Sequence, residues 1–174
     1  MAINRLNHAV VFVRDVNRSV AFYRDVLGFS VQMERPGQAA FMQAPDSTND
    51  HDIGLFAIGE AADNPAGRGT VGLYHLGWEI STLAELEELA QRLMSIGAYV
   101  GATDHGTTKS VYARDPDGLE FEVAWLVPAD LLDDAAFEQR TRRGVPLDLQ
   151  KEKARYGAGT RGGVGVSSPA AALP

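Results

Sequence analysis

The feature that most restricts the fold of this chain is that it repeats itself. "LNHAVVFVRDVNRSVAFYRDVLGFSV" and "LYHLGWEISTLAELEELAQRLMSIGAYV" both read as strand, helix, glycine and new strand. The first helix begins near Asp15 or Asn17, carries Val20, Tyr23 and Leu27 at helical spacing, and stops at Gly28 as a C-terminal cap. The second opens on a T-x-x-E capping box at Thr82 and Glu85. Its apolar stripe is Leu86, Leu89, Leu93 and Ile96, and it stops at Gly97. Three strand-like runs follow each helix: Phe29 to Glu34, Ala39 to Gln43 and Asp52 to Ile58, then Ala98 to Asp104, Ser110 to Arg114 and Leu119 to Trp125. The plan is βαβββ, twice.

This plan predicts an α+β fold in which paired βαβββ modules form a curved mixed sheet around a cavity, with helices outside. The first module spans residues 1–60, the second 70–127, and a C-terminal helical extension with a flexible tail spans 128–174. "GEAADNPAGRGT" is rich in Gly, Pro and Asn, as a boundary between modules should be. Beyond Val127, "PADLLDDAAFEQRTRR" reads as one more helix, and "GAGTRGGVGVSSPAAALP" as a low-complexity, mobile end whose basic residues form a solvated surface.

Charge and composition exclude several function classes. The 174 residues carry a net charge of −7, which argues against a nucleic-acid or anionic-membrane partner, since both need a basic surface. No apolar run approaches the ~18 residues of a membrane span. The opening "MAINRLNHAVVFV" lacks a signal-peptide plan, so a cytoplasmic location is expected. With no cysteine there is no disulfide, thiolate metal site or thiol nucleophile.

The chemistry concentrates in "DHGTTKSVYARDPDGLEFEV". Side chains alternate across a strand, so Leu119, Phe121, Val123 and Trp125 share one face, while Glu120, Glu122 and Ala124 share the other. The apolar face suits a helix; the acidic face then points into the concavity of the sheet. Tyr74, Leu76, Trp78 and Ile80 are the helix-facing set of the strand before the second helix, which sends His75 the same way as Glu122. His8 opens the equivalent strand of the first copy, with Ala9, Val11 and Val13 on its opposite face. A lone strand histidine is usually a hydrogen-bonded core or rim residue. Here two imidazoles and a carboxylate stand at corresponding points of a repeat, the donor set of a facial triad that suits Fe(II) and leaves positions open. Mn(II) and Zn(II) use the same ligands.

"NHAVVFVRDVNRSVAFYRDVLGF", "YHLGWEIS" and "YARDPDGLEFEV" resemble the vicinal oxygen chelate superfamily, which includes glyoxalase I, fosfomycin-resistance enzymes and bleomycin-binding proteins. Within it, "DHGTTKSVYARDPDG" is most similar to the catechol 2,3-dioxygenase branch of extradiol ring-cleaving enzymes. The resemblance covers roughly residues 5 to 127. It implies metal ligands at His8, His75 and Glu122, with Glu120 facing inward as a neighbour or rim group. The step that separates Glu122 from His75, taken from His8, reaches Leu55, so the fourth Glu or Gln ligand of glyoxalase I is missing. On the same face stands His51, in "NDHDIGLFAI", which resembles the stretch that carries an active-site His in extradiol enzymes. His105 and Tyr112 match a further His and Tyr of that branch.

The resemblance thus implies Fe(II), or Mn(II), as cofactor, and a small aromatic diol and O₂ as substrates. Proton transfer falls to His51, hydrogen bonding of the substrate oxygen to His105 and Tyr112, and the product is a ring-opened semialdehyde. A metal-dependent lyase or transferase of the glyoxalase or fosfomycin kind, and a metal-free binding module, are the alternatives. A homodimer or higher homo-oligomer is implied by resemblance, with the C-terminal segment serving it or covering the cavity mouth. Phe41, Phe56 and Tyr74 are either pocket-lining or core.

Overall fold

The structure, a computed structural model, describes residues 2–64 and 69–163. Residues 65–68 of the expected linker and 164–174 of the expected mobile tail lie outside the described residues. The chain divides into two compact units, one of residues 1–65 with 115–119, the other of residues 66–114 with 120–174.

In the first unit, β1 (Ala9–Val13) is followed by α1 (Val16–Asp25), β2 (Ser30–Arg35), β3 (Ala39–Gln43) and β4 (Ile53–Ala57). The sheet order is β1-β4-β3-β2, with β1 parallel to β4 and the other pairs antiparallel. Asp15 caps α1 by accepting from the backbone of Asn17 and Arg18, which satisfies donors that have no partner inside the helix. Gly28 takes the positive φ of 78° that turns the chain out of the helix, a conformation that costs a residue with Cβ. Val16, Val20 and Tyr23 are the buried side of α1, and Met42, Ile53 and Leu55 are buried on the strands it packs against.

The second unit repeats the plan: β5 (Leu76–Glu79), α2 (Leu83–Ser95), β6 (Tyr99–Asp104), β7 (Thr108–Arg114) and β8 (Glu120–Leu126). Its sheet order is β5-β8-β7-β6-β9, again with β5 parallel to β8 and the rest antiparallel. The α+β architecture is therefore two mixed sheets, one per unit. Thr82 caps α2 and pairs with Glu85, as the capping box requires. Leu86, Leu89 and Leu93 are buried. Ile96, expected in the same stripe, is instead 51% exposed, because α2 ends at Ser95 and Ile96 belongs to the cap. Tyr74 departs as well: it precedes β5 and is exposed. Strand parity in β8 is as read, with Phe121, Val123 and Trp125 buried and Glu120, Glu122 and Ala124 half-buried.

The C-terminal segment is built differently from the single helix expected. A 3-10 turn at Ala129–Leu131 precedes α3 (Asp134–Arg140), which Asp133 caps. β9 (Val145–Pro146) then adds a strand to the edge of β6, and α4 (Leu149–Tyr156) packs on α2. Basic residues of α4 form ion pairs. Lys153 pairs with Glu87 at 2.5 Å, and Arg155 with Asp133 at 2.6 Å. Glu152 and Tyr156 are the buried positions of α4. Glu152 lies 3.0 Å from the amine of Lys109, which is fully buried on β7 and also pairs with Asp104.

Burial pushes the Tyr156 phenol up to about 12 and raises that of Tyr23 as well, where Asp115 adds its charge. The folded chain then holds both phenol protons more tightly than the unfolded chain, whose tyrosines titrate near ~10. The stabilisation is complete below that pH and is lost as pH rises through the folded values. Urea midpoints should accordingly hold steady between about pH 7 and 9 and fall above about 10; a flat profile to pH 12 would contradict the assignment.

Candidate active site

In the first unit, Ala9 N–H donates to Asp52 C=O at 2.9 Å, and Ala9 is in register with Ile53. That pairing sets the residues preceding β1 and β4 side by side, and those residues include His8 and His51. Their rings lie 4.5 Å apart. His51 Nδ1 is 2.8 Å from the Asp50 carboxylate, and His8 Nδ1 is 2.8 Å from Asn7 Oδ1. A carboxylate only accepts, so Nδ1 of His51 carries the proton and Nε2 of the neutral ring bears a lone pair. That Nε2 is buried with no hydrogen-bond partner among the described residues. Phe41 sets its edge against His51 at 5.0 Å and against Phe56 at 5.7 Å. The aromatics therefore line the His51 side of this sheet.

The loop that delivers His51 is braced by residues sequence reasoning passed over. Asp52 accepts from the Ala44 backbone, Ser47 and Asn49, while Asn49 also donates to Asn7 C=O. Asn49 thereby ties the His51 loop to the residue before His8. The polar run "DSTNDHD" was the available signal, since Asp, Ser and Asn in a cluster hydrogen-bond the backbone around them.

In the second unit the site residues form one continuous chain. Tyr112 and Glu122 stand opposite each other on β7 and β8, and Tyr112 Oη donates to Glu122 Oε1 at 3.1 Å. The other carboxylate oxygen is 3.1 Å from His75 Nε2. His105 Nε2 lies 2.9 Å from Tyr112 Oη. The phenol has one proton and gives it to Glu122, so the His105 bond is N–H to phenol oxygen. Burial foremost, with the charge of Glu122 second, drives the Tyr112 phenol far above its ordinary value, so it is a permanent proton donor at neutral pH. Glu120 takes another course: it pairs with Arg114 across the strands at 3.7 Å. Tyr74 places its ring 4.7 Å from His75, and is thus a neighbour of the site rather than core.

Two features bear on whether these donors fit a metal. His75 Nε2 donates to Glu122 Oε2 at 3.1 Å, and that separation is also the spacing of two ligands at adjacent corners around a metal with bonds of about 2.1 Å, which would replace the shared proton. His8 Nδ1 faces Asn7 Oδ1, an amide oxygen that only accepts, so the proton is on Nδ1 and Nε2 bears the lone pair, the tautomer a ligating imidazole needs. His75 Nδ1, by contrast, is buried without a partner among the described residues. Within the described residues no group of three His, Cys, Asp or Glu is gathered closely enough to hold a metal ion.

Comparison with known proteins places these residues in a family. Residues 5–123 match the Glyoxalase/Bleomycin resistance protein/Dioxygenase superfamily. The chain belongs to that superfamily. It is 30% identical over 123 residues to the catechol-2,3-dioxygenase of Bacillus subtilis (strain 168), an alignment covering 68% of this chain and 40% of that enzyme. The chain thus spans well under half of that relative's length. It is 30% identical over 135 residues to the metallothiol transferase FosB of Staphylococcus saprophyticus, covering 75% and 83%. Among solved structures, the lactoylglutathione lyase of Agrobacterium tumefaciens superposes with a TM-score of 0.50 at 28% identity, covering 67% of this chain and 90% of that one. Dioxygenases, transferases and lyases all stand among its relatives.

Proposed function

We propose that the protein is an extradiol ring-cleaving dioxygenase, which opens a catechol-like diol to a semialdehyde with O₂. Its metal would be Fe(II), with Mn(II) as the alternative, held by His8, His75 and Glu122. The observation that carries the reading is the chain from His105 through Tyr112 and Glu122 to His75. A thiol transferase or an isomerising lyase has no evident use for a phenol and an imidazole ranged behind the ligand carboxylate. A diol oxygen beside the metal does: it takes the Tyr112 proton that Glu122 accepts here, while His105 donates to the phenol oxygen from behind and holds that proton balance.

The chemistry supplied by such a metal, when bound, is two-point orientation of the diol and electron transfer to O₂. His51 has a different task. Its bare Nε2 takes a proton and returns it at the reacting oxygen, the general acid-base role that a positioned imidazole fills most often. The adjoining Phe41 ring packs against His51, and Phe56 packs against Phe41, so the two phenylalanines offer an apolar wall to an aromatic ring.

A second reading is a metal-dependent transferase or lyase, supported by the 30% identity to the metallothiol transferase over 135 residues. A metal-free binding module is the third. Product analysis separates them. The dioxygenase yields a product with strong visible absorption from catechols; the transferase joins a thiol to an epoxide without oxygen; the binding module is isolated metal-free and turns over nothing. Homo-oligomerisation is part of the proposal and rests on the resemblance to the superfamily.

A further inference from the structure

The superfamily match ends at residue 123, yet the loop that carries His105 is gripped on every flank by residues beyond it. Three contacts make the grip. Gly106, with φ +84°, lies so close to α3 that a Cβ there would meet Ala136 C=O and stand 2.9 Å from Arg140 N and Gln139 Cβ. Gly144, just before β9, lies so close to the imidazole that a Cβ would meet Thr103 Cγ2 and stand 2.9 Å from His105 Nδ1. Asp104 accepts from the Gly106 backbone at 2.7 Å and pairs with buried Lys109, which Glu152 of α4 holds from the other side.

These contacts act on opposite edges of one ring. Nδ1 of His105 abuts the backbone of residue 144, while Nε2 reaches Tyr112 Oη at 2.9 Å. β9 fixes the height of residue 144, because Val145 and Pro146 are in register with Asp104 and Thr103. We propose that the C-terminal extension is a positioning element for the active site, and that Gly144 is a positioning residue. Its backbone forms the floor on which the His105 ring rests, and any side chain there displaces the ring from Tyr112. The extension is thereby assigned a task in the reaction chain as well as in covering the unit. The importance of this placement for turnover rests on the proposed dioxygenase reading; the placement itself does not.

The experiment is nitrogen-15 NMR of the histidine side chains in the full protein, without metal, with the His105 resonances assigned by their loss in His105→Gln. Gly144→Ala should shift the His105 Nε2 resonance and leave those of His8 and His51 in place. Thr103→Ser/Gly144→Ala relieves the Thr103 clash and should fold even where the single variant does not, while its new Cβ still displaces the ring. An unchanged His105 resonance in either folded variant would overturn the proposal. In the metal-loaded protein, kcat should fall by about 10- to 100-fold with little change in KM, the scale of a misplacement near 1 Å. A shifted resonance with wild-type turnover would leave the positioning intact and sink the role given to His105 in catalysis.

Discussion

His51→Phe is expected to lower turnover by about 10²- to 10⁴-fold while leaving metal content and diol affinity nearly intact, the scale of a lost general acid-base group. Phenylalanine is the instructive replacement because it keeps a ring against His8 and Phe41, whose centroids lie 4.5 and 5.0 Å from that of His51. It removes only the buried Nε2 and the Nδ1 bond to Asp50. Metal content by elemental analysis and steady-state kinetics are the measurements. Loss of metal would make His51 a ligand; unchanged turnover would make it a wall of the site and nothing more.

The second large effect separates two glutamates one turn of the pleat apart. Glu122→Gln is expected to weaken Mn(II) or Fe(II) binding by more than about 100-fold, because even partners behind a ligand cost about 10- to 100-fold when removed. Glu120→Gln should leave it unchanged, since the carboxylate there is committed to Arg114. The fold is expected to tolerate both. Tyr112 can still donate to the amide oxygen at 122, and a long ion pair with a mostly exposed arginine is worth about 0–1 kcal/mol. Chelator competition measures the difference; equal losses would mean that the wrong glutamate has been named as ligand.

The parts of this architecture that show in the sequence are those encoded by periodicity. Leu86, Leu89 and Leu93 mark α2 because a helix buries one stripe, and Phe121, Val123 and Trp125 mark β8 because a strand buries alternate residues. Parity also sorted Glu122 from the helix side, and the structure places it beside His75 and Tyr112. α4 escaped for the converse reason: one of its two buried positions is a glutamate, so "LQKEKARY" carries no apolar stripe. That glutamate is buried because Lys109 is, and a lysine on the helix-facing side of β7 has no sequence signature when its partners come from β6 and from a helix far along the chain. Gly144 escaped similarly. A glycine between two arginines and a valine looks like any turn, and its reason for being small is the His105 ring, a contact only the folded chain makes.

The protein purified without oxygen, reloaded with Fe(II) and given a limiting amount of catechol in an oxygen-electrode cell tests the dioxygenase reading most directly. The account predicts uptake of about one O₂ per diol, with the visible absorption of a ring-opened semialdehyde rising in step and both lost when the metal is chelated. Diol left unconsumed in air by the Fe(II)- or Mn(II)-loaded protein, while the same protein adds a thiol to an epoxide with no oxygen uptake, would contradict it.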